Sequence, residues 1–189
     1  MIFYCFTVIK YGFSEFKIRI LKRIILVIVF AFKGSKPVKK ILNLPYFGNG
    51  EIGLELIRGR YIFSGVKFDL DLENPWLIEA PSIDVERCLH GFFWLNDLAA
   101  LGNIKARNCA FKWIKKWDYY NSFGKNIGWD VDTTAYRCVN IVRNWKFLTN
   151  GLTNQNNYLQ EHLWRQYRFL KLMLPIYPYG LKRVQIIYS

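Results

Sequence analysis

The sequence predicts a mainly α-helical protein of antiparallel helical hairpins, with one short β-hairpin near 58–73. Three observations carry that expectation. From Pro81 onward, apolar residues recur every three or four positions in segments that stop at Gly102, at Asn150-Gly151 and before Pro175. In residues 66–73, by contrast, Val66, Phe68, Leu70 and Leu72 alternate with Lys67, Asp69, Asp71 and Glu73, the two-residue repeat of a half-exposed strand. The chain of 189 residues is 52% apolar and 18% aromatic, which is enough for a sizeable core and excludes a disordered polypeptide.

Residues 14–32 form the first predicted helix, stopped by GSKP at 34–37. Its IILVIVFAF run (24–32) is too short to cross a bilayer and follows Lys10, Lys17, Arg19, Lys22 and Arg23. An export signal shares that order, but FKGSKP offers no convincing small-x-small cleavage site, so both cytoplasm and periplasm stay open as locations. Contact with a membrane surface through 14–32 is the other use of such a segment. A Pro, Gly and Asn-rich loop, LNLPYFGNG (42–50), leads to strand Tyr61–Phe63 and a turn at Ser64-Gly65. Residues 1–44, 45–80 and 81–189 thus divide into a basic apolar segment, a loop with a hairpin arm, and a helical domain.

In the helical domain, Ser82 or Asp84 can cap a helix over about 84–101. That helix is apolar nearly all round, through Leu89, Phe92, Phe93, Leu95, Leu98, Ala99 and Leu101, so neighbours must cover it on most sides. A second helix, 103–121, sets Ala110, Trp113, Ile114 and Trp117 on one stripe. A third runs from Asp132 or Thr133 to about 149, and a fourth over 154–173 with Leu159, Leu163, Tyr167, Leu170 and Leu174 toward the core. A fifth starts near Tyr179.

Charge is unevenly distributed. Residues 1–48 carry nine Lys/Arg and only Glu15 as an acid, 49–102 are net acidic, and 103–189 are strongly basic, for a total of +13. Such a surface favours a polyanion: acidic polysaccharide, nucleic acid or anionic lipid. No helix-turn-helix or RNA-binding signature is present, and the aromatics sit in core stripes instead of among the basic residues, so specific nucleic-acid binding is not expected. Cys5, Cys88, Cys109 and Cys138 form no CxxC pair, and His90 and His162 are the only histidines, so neither a metal site nor a cofactor motif is expected.

Four blocks occur in order: GLELIRGRYIFSG, PWLIEAPSIDVERCLHGFFWLNDLAALG, GWDVDTTAYRCVNIVRNWKFL and LWRQYRFLKLMLPIYPYGLKRVQ. Together they resemble the N-terminal part of bacterial heparinase II/III-like proteins over roughly residues 45–188, most specifically in LHGFFWLNDLAALG and GWDVDTTAYRCVN. The resemblance implies part of an α/α toroid. It implies a family activity of polysaccharide lyase type, acting on glycosaminoglycans and other uronic-acid polymers. In such an elimination the uronate carboxylate is neutralised, a Tyr or His base takes the C5 proton, and the C4 oxygen departs. The family's catalytic Asn, His and Tyr match no residue here, so no catalytic role carries over. The chain reads as a fragment, inactive alone, that needs the family's missing C-terminal portion.

Two polar sets are candidates for contact with such a polymer. His90, Trp94 and Asp97 share one stripe if 84–101 is a single helix, His90 and Asp97 being only about 20° apart in projection. Arg137, Asn140 and Asn144 share a face of the third helix, with Trp129 and Asp130 at its start. A sugar cleft would use rings for stacking and polar groups for hydroxyls and carboxylates. The alternatives are a His and Asp satisfied by neighbouring helices, and a solvent-facing polar stripe. Asn96 points elsewhere, toward an interhelical hydrogen bond, and His162 reads as exposed helix surface.

Overall fold

The structure is a computed structural model. It describes residues 2–32, 34–35, 48–63, 66–69, 74–121, 127–150 and 153–176, with side chains from residue 16 onward. The turn at Ser64-Gly65, the second half of the alternating strand, most of the 42–50 loop and the fifth helix lie outside the described residues. Among the described residues the chain is mainly helical, with one two-stranded antiparallel hairpin.

Helix α1 (Ile2–Ala31) is longer than the sequence pattern suggested and rests Ile25, Leu26 and Val29 on α8 (Thr153–Met173). Lys22 anchors it further, its Nζ 2.7 Å from Asp130 Oδ1. Helix α2 (Gly50–Ile57) begins at Asn49, whose side chain accepts from the Glu51 N–H. It lies against α4 (Trp94–Leu101) so closely that a Cβ at Gly53 would collide with the Asp97 carbonyl. Strands β1 (Arg60–Phe63) and β2 (Val66–Asp69) pair with Tyr61 opposite Phe68, their rings edge-to-face at 5.0 Å. Tyr61 is buried; of the alternating apolar residues that are described, Val66 is exposed and Phe68 is half-buried.

The helix predicted over 84–101 is two helices. α3 (Ile83–His90) is capped by Ser82, whose Oγ accepts from Val85 N at 3.3 Å, and a turn at Gly91-Phe92-Phe93 separates it from α4. Phe92 occupies the left-handed region at φ 59°, unusual for a bulky side chain. Gly102, at φ 70°, ends α4 without a Cβ penalty. The expectation of near-complete burial is met: Leu89, Phe92, Trp94, Leu95 and Leu98 are buried.

Helix α5 (Ile104–Tyr120) starts at Asn103, which caps the Ala106 N–H, and its Ala110, Trp113, Ile114 and Trp117 stripe is fully buried. The third predicted helix is also divided, into α6 (Val131–Arg143) and α7 (Trp145–Thr149) around Asn144, and Asn150 at φ 37° closes it. On α8, Tyr167 is 49% exposed and His162 only 1%, the reverse of the expectation. The inward stripe runs through Leu159, His162, Leu163, Gln166, Phe169 and Met173, so the helix is rotated to bring two polar residues into the core. One aromatic cluster joins these helices, centred on Phe92, Trp94, Trp113, Trp117, Trp129 and Phe169.

Candidate functional site

The turn after His90 decides the fate of the first predicted stripe. With the helix interrupted at 91–93 and Phe92 at φ 59°, His90 and Asp97 belong to different helices, and the stripe expected of one continuous helix is not formed. His90 Nδ1 instead accepts from Trp117 Nε1 at 2.9 Å, and its ring lies 5.6 Å from that of Trp76. Burial, reinforced by the positive charge of Arg137, lowers the His90 pKa to about 3, so the ring is neutral. Trp94 Nε1 donates to Leu89 O at 3.0 Å. Asp97 Oδ1 accepts from Asn49 N at 2.8 Å and so ties α4 to the start of α2. Its burial raises the carboxyl pKa against the opposing effect of that bond.

The second predicted set converges on the same turn. Arg137 is fully buried; its Nη1 donates to His90 O at 2.8 Å and to Gly128 O at 2.7 Å, and its Nε to Gln166 Oε1 at 2.8 Å. The guanidinium carbon sits 3.9 Å from the Trp117 ring centre. Asn140 Nδ2 donates to Gly91 O at 2.9 Å, and its Oδ1 accepts from Asn96 Nδ2 at 3.1 Å. Asn144 Nδ2 completes the chain to Asn96 Oδ1 at 2.9 Å, giving Asn96 the interhelical role expected of it.

Physically, these donors solve the problem created by a helix that ends inside the core. The turn itself supplies Gly91 N–H to Arg87 O, Phe93 N–H to Cys88 O and Phe92 N–H to Leu89 O, and side chains supply the donors for the carbonyls that follow. Trp94 takes Leu89 O, Arg137 takes His90 O, and Asn140 takes Gly91 O. A cation at a helix C-terminus also complements the helix dipole.

The structure therefore brings His90, Trp94, Trp129, Arg137, Asn140 and Asn144 together, but in the interior, with no more than 5% of any of them exposed. Trp129 Nε1 donates to Asn121 O at 2.5 Å. Asp130 lies at the rim, half-buried, and its carboxylate is engaged by Lys22.

Beside this network lies a second one that sequence reasoning missed. Asp118, near the end of α5, accepts from Tyr158 Oη at 2.5 Å on Oδ2, which also lies 2.9 Å from His162 Nδ1; Oδ1 accepts from Arg165 at 3.3 Å. Gln166 bridges His162 Nε2 to Arg137, joining the two networks. Burial pushes the Asp118 carboxyl up, but His162, Arg165 and the Tyr158 bond outweigh it and hold it below the usual carboxylate range. Burial keeps His162 low despite Asp118. Burial, then the Asp118 charge, drives the Tyr158 phenol far above its ordinary value, so it holds its proton and cannot serve as a base. The one available signal was spacing: His162 and Gln166 lie between Leu159, Leu163 and Phe169 on one helical stripe.

Cys88, Cys109 and Cys138 are partly buried free thiols, and burial raises them to about 11, about 11 and about 12, which makes them poor nucleophiles.

An accessible concavity lies elsewhere, between the C-terminal part of α1 and α8. It is an open cleft of about 210 Å³ lined by Phe30, Phe32, Glu161, Trp164 and Arg165, among others. The Trp164 ring stacks on Tyr167 at 5.3 Å and 23°. Arg165 lies over the Phe30 ring at 5.1 Å, and Arg168 over that of Phe32 at 5.6 Å, with its Nη1 donating to Phe32 O at 2.7 Å. Comparison with family models, curated proteins and solved structures returns no match for this chain.

Proposed function

We propose that this chain is a helical scaffold of heparinase II/III-like type that binds acidic polysaccharide in the cleft between α1 and α8. One observation carries the binding half: in the cleft the Arg165 guanidinium lies on the Phe30 ring beside Trp164, and Tyr167 and Arg168 flank that lining on α8. The stacked rings of Trp164 and Tyr167, and the Phe32 ring under the Arg168 guanidinium, add aromatic surface to this wall. Pyranose rings stack on such faces, while the planar donor fork of Arg matches a carboxylate or sulfate. Glu161, at the wall of the cleft, is available to accept from sugar hydroxyls.

The motif blocks support the scaffold half, as does α4, which is covered by neighbours in the way an inner helix of a two-layer ring of hairpins requires. Turnover is not part of the proposal for this chain. No residue matches the family's catalytic positions, and Tyr158, the tyrosine nearest a histidine and a carboxylate, points its hydroxyl into Asp118.

The test is titration with heparin and alginate oligosaccharides, followed by tryptophan emission and calorimetry. Trp164→Ala and Arg168→Gln should each weaken binding about tenfold, roughly 1.4 kcal/mol, and neutral oligosaccharides should not bind. Incubation with either polymer should generate no unsaturated-uronate absorbance. Unchanged affinity in both variants, or equal binding of single-stranded DNA by wild type and variants, would overturn the reading.

A further inference from the structure

From residue 16 onward helix α1 is apolar on two opposite faces, and among the described residues one of them is covered by protein. Ile25, Leu26 and Val29 face α8 and are buried. On the other side, Phe16, Ile20, Ile24, Val27 and Ile28 are 39–67% exposed. At about 100° per residue these five fall within one arc of the helix surface, a continuous stripe rather than scattered apolar residues.

We propose that this outer face of α1 docks the protein onto an anionic lipid surface, with the helix lying in the interface. Charge decides the occupant. Lys17 and Arg23 are exposed along the stripe, and residues 16–35 contain no acidic side chain. Lys22 is turned the other way, toward Asp130, so it belongs to the protein side. A second copy of the chain would bring Lys17 and Arg23 against the same cations with no carboxylate in the stripe to answer them. Anionic headgroups answer them directly, while acyl chains take the apolar arc. Spanning is not implied: among the described residues no helix is long and apolar enough to cross a membrane. The two-faced pattern also explains why α1 lacks a polar side. One apolar face is for α8 and the other is for lipid, with Arg23 at the edge of the outer arc and Lys17 within it.

The experiment is co-sedimentation of the full chain with phosphatidylcholine vesicles, with and without phosphatidylglycerol. The wild type should partition onto the anionic vesicles and be released by added salt. Ile24→Asp combined with Val27→Asp should lower the partition coefficient at least about tenfold, and Lys17→Gln combined with Arg23→Gln should reduce only the anionic preference. All these positions are exposed, so melting of the variants should match the wild type, and Trp164→Ala should leave vesicle binding unchanged. Two results would overturn the proposal. One is vesicle binding that is absent or indifferent to both double variants. The other is a concentration-dependent dimer, seen by analytical ultracentrifugation, that Ile24→Asp/Val27→Asp dissolves while vesicles are ignored.

Discussion

Arg137 shows how much of this protein depends on single polar atoms. Its guanidinium is desolvated, which lowers its pKa to about 9, and it stays inside because two main-chain carbonyls and one amide oxygen need its N–H groups. Removing it takes a charged donor from three buried acceptors, of which Gly128 O and Gln166 Oε1 keep only the weaker Thr134 and Cys138 contacts, and each acceptor left short costs roughly 1–3 kcal/mol. Arg137→Met is therefore expected to lose at least about 3 kcal/mol in urea unfolding, a large share of the stability of any single domain. Retention of wild-type stability would mean the carbonyls find other partners.

His90 makes a separate prediction about pH. Its folded pKa of about 3 lies below the ordinary 6.5, so on acidification the unfolded chain takes up the proton first. Stability is complete above about pH 6.5 and declines as pH falls toward 3, by up to about 1.4 kcal/mol per pH unit for this group. His90→Asn keeps an acceptor for Trp117 Nε1 and removes the titration, so its melting temperature should fall less steeply over that window. His162, also held low by burial, supplies the slope that remains. Equal slopes in variant and wild type would contradict the burial of a neutral imidazole.

At the scale of elements, the close approach of α2 to α4 is the sharpest constraint. Only a hydrogen fits where Gly53 faces the Asp97 carbonyl, so Gly53→Ala must separate the helices. Overpacking of this kind costs about 1–3 kcal/mol, and a shift of the denaturant midpoint checks it. Most elements were legible because capping is local: Ser82, Gly102 and Asn150 mark helix ends in both sequence and structure. The two breaks were not. Apart from Gly91, a helix over 84–101 satisfies the local rules, and the partners that hold its end at His90 are supplied from α6, more than forty residues away, by Arg137 and Asn140. The phase of α8 was misread for a related reason. Tyr167 has the more apolar side chain, but Asp118 and Arg137 supply partners that let His162 and Gln166 take the inner positions.

For the molecule as a whole, α1, the β-hairpin and the helices from α3 to α8 contribute to one connected hydrophobic core. Tryptophans in α4, α5, α7 and α8 should then report the same event. Tryptophan emission and far-ultraviolet circular dichroism are expected to give coincident thermal transitions. Two resolved transitions would show that α1 and α8 unfold apart from the rest.

The sequence by itself determined the helical class, the one hairpin, most of the caps, the aromatic core stripe of α5 and the basic character of α1, since these depend on periodicity and on neighbours close along the chain. Tertiary structure alone decided what the polar residues do. Arg137, Asn140 and Asn144 look the same on a helical wheel whether they face a substrate, water or a broken helix. It took the arrival of the α3 terminus beneath them, in a buried turn whose carbonyls need donors, to make them part of the core; among the described residues the α1–α8 cleft is open to a ligand.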